Sequence, residues 1–293
     1  MKQALQLLQI GMQLMQLPGV TPREQARLKL SYGNILVIKT NFENAPIEDA
    51  ITVLEEVKQL ATKLNDAQLL ADALNSIGYA RYVAASNKRN GDPHMLLAYF
   101  QEALESRRIL HDNRGISESL FYVGLISELL GQRGVARISY TQSLQIALQQ
   151  NYPREAFEAL RHLGFFEQSQ GNFLQAQHYF TESLHQLECA GIHIYLPFAH
   201  VVIADVYLAQ GNVGMAFSHG QKALELARKM NVKKAIILSL LSLGHICQEK
   251  QEKGQAKDYF EQAYAVAQTV DLKYAMQQAS QALHNLSTHP KIQ

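Results

Sequence analysis

The chain has 293 residues, 47% of them hydrophobic and 18% charged, with a formal net charge of +1. That apolar content suffices for a folded core and excludes general disorder. The balanced charge excludes a global pull toward nucleic acid, which needs a basic surface.

In chain order, the first 19 residues read as a helix, because Gln3, Gln6, Gln9 and Gln13 interrupt the apolar residues at helical spacing. That spacing argues against a signal peptide, and no run approaches the ~18 apolar residues of a membrane span. From there small residues recur at Gly33, Gly78, Gly124, Gly164, Ala204 and Gly244, the last four forty apart. A second series, Val57, Ala103, Ser143, Ser183, Ala223 and Ala263, precedes each following anchor by 21 residues. The extra length of repeats 1 and 2 therefore lies inside them, in "KTNFENAPIEDA" and "SNKRNGDPHML", whose Asn, Pro and Gly suggest loops.

Each unit reads as two helices joined by a tight turn such as "QGN" at 170–172 and 210–212, which forces them antiparallel. A helical glycine costs about 1 kcal/mol relative to Ala, so its recurrence requires a gain from close approach to the partner helix. That helix carries Ala50, Ala136, Ala176, Ala216 and Ala256, with Leu54, Phe100, Tyr140, Phe180 and Phe260 beside the crossing. Gly220 takes that place in repeat 5, where thinner packing is expected. Asn65, His111, Asn151, Gly191, Asn231 and Asp271 mark the ends of the second helices, as left-handed caps.

The series at Gly164, Gly171, Ala176, Phe180 and Ser183 resembles the tetratricopeptide repeat (TPR) family in a forty-residue form, over roughly residues 20–287. Such repeats are found in scaffold proteins and in the sensor arms of bacterial signal-transduction ATPase regulators. The resemblance implies an all-α, right-handed superhelical solenoid of antiparallel helix hairpins, with about six repeats plus terminal helices. Residues 1–19 would form an N-terminal cap or the remnant of a preceding repeat, 20–270 the six repeats, and 271–293 a C-terminal capping helix and tail. The chain lacks Trp and the Pro that closes shorter repeats.

The resemblance further implies that positions six before, three before, one after and four after each anchor face inward. In repeats 2 to 4 this selects Asp72, Asn75, Tyr79, Tyr82, Glu118, Phe121, Leu125, Glu128, Glu158, Arg161, Phe165 and Gln168. In repeats 5 and 6 it selects Phe198, Val201, Asp205, Leu208, Leu238, Leu241, His245 and Gln248. Aromatic rings beside carboxylates suit a protein or peptide segment offering apolar anchors and a basic residue, held between repeats 2 and 5. The same aromatics could instead be core between neighbouring repeats. Only Asn34 and Asn75 echo the carboxylate clamp of chaperone-binding relatives.

No catalytic or metal-binding constellation emerges. Eleven histidines include no HExxH pattern, and Cys189 and Cys247 have no paired spacing, which suits reduced thiols in the cytoplasm. The reading is a non-catalytic binding scaffold or sensor without cofactor or metal. The alternatives are a relative of bacterial peptide-pheromone receptors, or a regulatory arm of a larger ATPase or transcription regulator.

Overall fold

A computed structural model describes residues 6–7, 10–13, 19–43, 45–88 and 91–288. Among these every regular element is helical: α1 (Pro22–Glu43), α2 (Glu48–Lys63), α3 (Ala67–Lys88), α4 (Pro93–Ile109), α5 (Asn113–Leu129), α6 (Arg133–Gln149), α7 (Pro153–Ser169), α8 (Phe173–Cys189), α9 (Leu196–Ala209), α10 (Val213–Lys229), α11 (Lys233–Glu249), α12 (Lys253–Thr269) and α13 (Lys273–Thr288). A single 3-10 turn, His193–Tyr195, leads into α9. Residues 6–7 and 10–13 are helical and Gly19 lies in a turn; the rest of the helix expected over 1–19, and the tail beyond Thr288, lie outside the described residues.

The chain packs as two compact units, residues 1–41 with 45–155, and 42–44 with 156–293. The first holds the hairpins α1/α2, α3/α4 and α5/α6. The second holds α7/α8, α9/α10 and α11/α12, with α13 against α12. The anchors do lie at the hairpin crossings, but the gain is more specific than backbone approach. A β-carbon on Gly124 would stand 2.7 Å from the Tyr140 ring, and one on Gly164 2.5 Å from the Phe180 ring. Gly33 meets Leu54, Gly78 meets Phe100 and Gly244 meets Phe260 in the same way. The large side chain therefore sits on the glycine rather than beside the crossing. All five of these large side chains are fully buried, so the packing energy of a core residue offsets the helical cost of glycine.

Repeat 5 inverts the arrangement, and its packing is not thinner. Ala204 supplies the β-carbon, and the space over Gly220 is filled from the next repeat, Leu243 lying 2.9 Å and Ile246 3.4 Å from where its β-carbon would be. Ala204, Ala216 and Ile246 form one buried cluster.

The helix ends follow the sequence closely. Asn65, His111, Asn151, Asn231, Asp271 and Gly191 all have positive φ. The next residue's N–H returns to a carbonyl five back, as in Tyr152 to Ala147 and Val232 to Ala227, satisfying carbonyls that a helix end strands. Serines of the second anchor series tie the two helices of a hairpin together: Ser143 donates to the Ser117 carbonyl at 2.7 Å, and Ser183 to that of Phe157 at 2.8 Å.

The inserts differ from expectation. Much of each extends a first helix, so that α1 and α3 run 22 residues where later first helices run 17 or fewer. No Pro or Gly precedes Pro46 in one or Gly91 in the other, and the helices run to Glu43 and Lys88. Thr40 then secures the α1 turn by donating to the carbonyls of Leu36 and Pro46, 3.1 Å each.

Candidate functional site

In the first unit, the inward-register residues of α3 and α5 converge on a side chain from α4. Arg107 is 3% exposed. It donates to Asp72 at 2.8 Å, to Glu118 at 3.1 Å, to Ser119 at 2.7 Å and to the Gly115 carbonyl at 3.0 Å. Gly115 makes this possible, since a β-carbon there would lie 2.5 Å from Arg107 Nε. Burial pulls the guanidinium down, but the charges of Glu118 and Asp72 outweigh it and hold Arg107 above its usual value. Burial raises the Asp72 carboxyl despite the arginine. Asp72 and Glu118 thus already have a cation in their own chain.

The other residues of this set divide between core and edge. Asn75 is buried and accepts from Ser119 at 3.3 Å. Phe121 is 6% exposed, with its ring 5.0 Å from Tyr122 and 5.9 Å from Tyr140. Tyr79 and Tyr82 stack at 6.4 Å and pack against two core clusters, one on each side. Glu128 is exposed and accepts the Tyr140 hydroxyl at 2.8 Å. The contacts of Asn75, Tyr79 and Tyr82 cross from one repeat to the next, whereas those of Phe121 and Glu128 lie within the α5/α6 hairpin.

In the second unit, Glu158 and Arg161 pair at 2.6 Å on α7, and the guanidinium stands 5.8 Å from the centre of the Phe165 ring. Phe165 meets Phe180 edge-on at 5.1 Å, and Gln168 is half-buried one turn further along.

A recess of about 380 Å³ lies between α9, α11 and α13. Its walls are Val201 and Asp205 from α9, Leu238, Leu241, Ser242 and His245 from α11, and Gln278, Gln281, Ala282 and Asn285 from α13. On α9 and α11, every lining residue but Ser242 belongs to the inward register. The α13 residues continue it: His284 stands forty after Gly244, and Gln278, Gln281 and Asn285 are six before, three before and one after it. Ser242 donates to Asp205 at 2.6 Å. Burial raises the Asp205 carboxyl, against the lowering effects of that bond and of His245. Gln281 donates to Asn285 at 2.9 Å.

A second recess, of about 480 Å³, opens beside His200 and His219, whose Nδ1 atoms are 3.0 Å apart. Burial lowers both imidazoles, His200 to about 4. Among the described residues no three His, Cys, Asp or Glu side chains are grouped to hold a metal ion, and no helix is long and apolar enough to cross a membrane.

Set against known families, residues 95–288 match the MalT-like TPR region. The chain belongs to that family. No curated protein matches it in sequence. Among solved structures it is similar to BtubC from P. vanneervenii, at 15% identity over 85% of this chain and 96% of the other, TM-score 0.61. It is similar also to a signal transduction ATPase with numerous domains, bearing a tetratricopeptide repeat sensor, from Pyrococcus horikoshii, at 15% identity and TM-score 0.62. There 94% of this chain spans only 41% of the other. A third is NprR in complex with its cognate peptide NprX, at 14% identity over 98% and 78%, TM-score 0.62. At such identities the likeness is one of fold, that of TPR-like helical solenoids.

The residues that sequence reasoning missed follow from the same periodicity. Arg107 stands where the other repeats place Ala61, Ala147, Leu187, Ala227 and Ala267, all buried. A charge at a register otherwise filled by small or apolar residues was its signal. Gln278, Gln281 and Asn285 required only that the inward rule be carried into the seventh first helix.

Proposed function

We propose that this MalT-like TPR chain is a non-catalytic binding module that takes a peptide segment of a partner on its inward-register faces, through apolar anchors and a basic residue. The recess between α9, α11 and α13 carries this reading. There inward-register residues gather around unfilled space, with Leu238 and the largely buried Val201 and Leu241 forming its apolar lining beside the carboxylate of Asp205. Peptide-bound NprR supports it as an analogy of fold. A second role, the sensor arm of a larger cytoplasmic regulator, is favoured by the family matched and by the ATPase whose length this chain spans in part. In either role the chain contributes recognition.

The test is retention of the labelled protein on an array of short peptides, comparing the wild type with Leu238→Glu in the recess and Leu174→Glu on the exposed surface of α8. Retention by wild type and Leu174→Glu, lost in Leu238→Glu, supports the reading. No retention on any peptide, or retention indifferent to Leu238→Glu, overturns it.

A further inference from the structure

We propose that the recess between α9, α11 and α13 is a seat for an ammonium group flanked by an apolar side chain, with Asp205 as its counter-ion and α13 as a ligand-binding wall rather than a cap. This rests on the peptide-binding reading and narrows it to one end of the inner face and one chemistry. Asp205 is the one acidic side chain lining the recess; neither Lys nor Arg lines it, and the one basic side chain there is the His245 imidazole, which only partly offsets the effect of burial on Asp205. In the first unit, by contrast, Arg107 already answers Asp72 and Glu118. Of the acidic residues in the inward register, Asp205 therefore combines a neutral hydroxyl partner, Ser242, with open space in front of it.

A carboxylate drawn into apolar surroundings gains most from a cation that arrives with it. Ser242 fixes the orientation of the carboxyl from one side at 2.6 Å, so that a ligand's N–H donors approach from the recess. Leu238, Leu241 and Val201 form the apolar flank. The opposite wall carries the amides of Gln278, Gln281 and Asn285 beside Ala282: Gln281 donates to Asn285, which presents an acceptor on Gln281 and a donor on Asn285, the pair of groups that a peptide unit's own N–H and C=O satisfy. A peptide running along α13 would place its first residues between these amides and the leucines. The ammonium can be a free peptide N-terminus or a lysine side chain.

The test uses tetrapeptides with Leu at one position in four forms: free or acetylated N-terminus, each with and without one Lys. Binding is followed by fluorescence anisotropy against wild type, Asp205→Asn, and Gln278→Ala with Gln281→Ala. Asp205→Asn keeps the shape and removes a buried charge, so melting does not fall at neutral pH. The expected result is that peptides carrying an ammonium bind, that the form with neither ammonium binds at least about tenfold more weakly, and that Asp205→Asn abolishes this difference. Loss of binding on acetylation alone identifies the terminus as the group; rescue by Lys identifies the side chain. The α13 variant weakens every form. Binding that ignores the ammonium, or is unchanged in Asp205→Asn or in the α13 variant, overturns the seat and leaves peptide binding standing. No binding of any peptide overturns both.

Discussion

The ring of Phe180 occupies the space in which a side chain on Gly164 would begin, a ring carbon standing 2.5 Å from the β-carbon position. Gly164→Ala is therefore expected to destabilise. The gain in helix propensity, about 1 kcal/mol, is smaller than an overpacking cost of about 1–3 kcal/mol joined to displacement of a fully buried ring. Gly254→Ala, where nothing lies within 4 Å, should stabilise by about 0.5–1 kcal/mol. Urea denaturation of both variants checks the opposite signs. Adding Phe180→Leu to Gly164→Ala should cost less than the two singles summed, because each change makes room for the other.

Arg107 holds the carboxylates of Asp72 and Glu118 in place, with Asp112 a more distant third at 3.9 Å, and its removal strands the first two. Arg107→Met should lower stability by about 3–5 kcal/mol, the range for breaking one side of a buried ion pair. Asp72→Asn and Glu118→Gln in the same chain should restore most of the loss, since the neutral amides no longer require a cation. Failure of the triple variant to recover would show that the guanidinium acts mainly through its bonds to Ser119 and the Gly115 carbonyl.

Phe121 is buried against Tyr122 and against Tyr140 of its own hairpin. Phe121→Ala should cost about 3–5 kcal/mol, and Tyr79→Ala with it more, read as a fall in melting temperature. An unchanged melting curve would return these rings to the role of partner-facing surface.

Legibility divides along the same line as these predictions. Repeat period, helix caps and crossing residues were readable because each is fixed locally, by a φ angle or by one pair of facing side chains recurring every forty residues. Asn151 and Gly164 illustrate the two cases. The division of the inward register into core and recess was not readable, because it depends on what the neighbouring repeat supplies. Tyr79 and Phe121 meet rings from adjacent helices, and Asp72 meets an arginine from a second helix, to which no inward rule applies. Asp205 obeys the same rule as Asp72, yet meets a serine, the nearby imidazole of His245 and open space. Gly220 teaches the same lesson from the packing side: its missing ring is supplied by Leu243 and Ile246 of the following repeat.

His200 and His219 make the hairpin α9/α10 sensitive to acid. Their Nδ1 atoms are 3.0 Å apart, so one ring must carry the proton that the other accepts, and protonating both sets two cations against each other. Burial first, then the charges of His219 and Lys222, lower His200 from 6.5 to about 4. The unfolded chain therefore binds more protons than the folded one between those values, and stability rises with pH across that window. The contribution is fully present above pH 6.5 and is lost as pH falls through about 4. His200→Gln, which cannot titrate, should flatten the part of the acid profile that this imidazole supplies. Urea midpoints at pH 7.0, 5.5 and 4.5 check it: the wild type should lose more stability than the variant over that range, so that the stability difference between the two shifts in the variant's favour as pH falls. Parallel curves would mean that the pair opens to water at little cost and that the imidazoles titrate as ordinary surface groups.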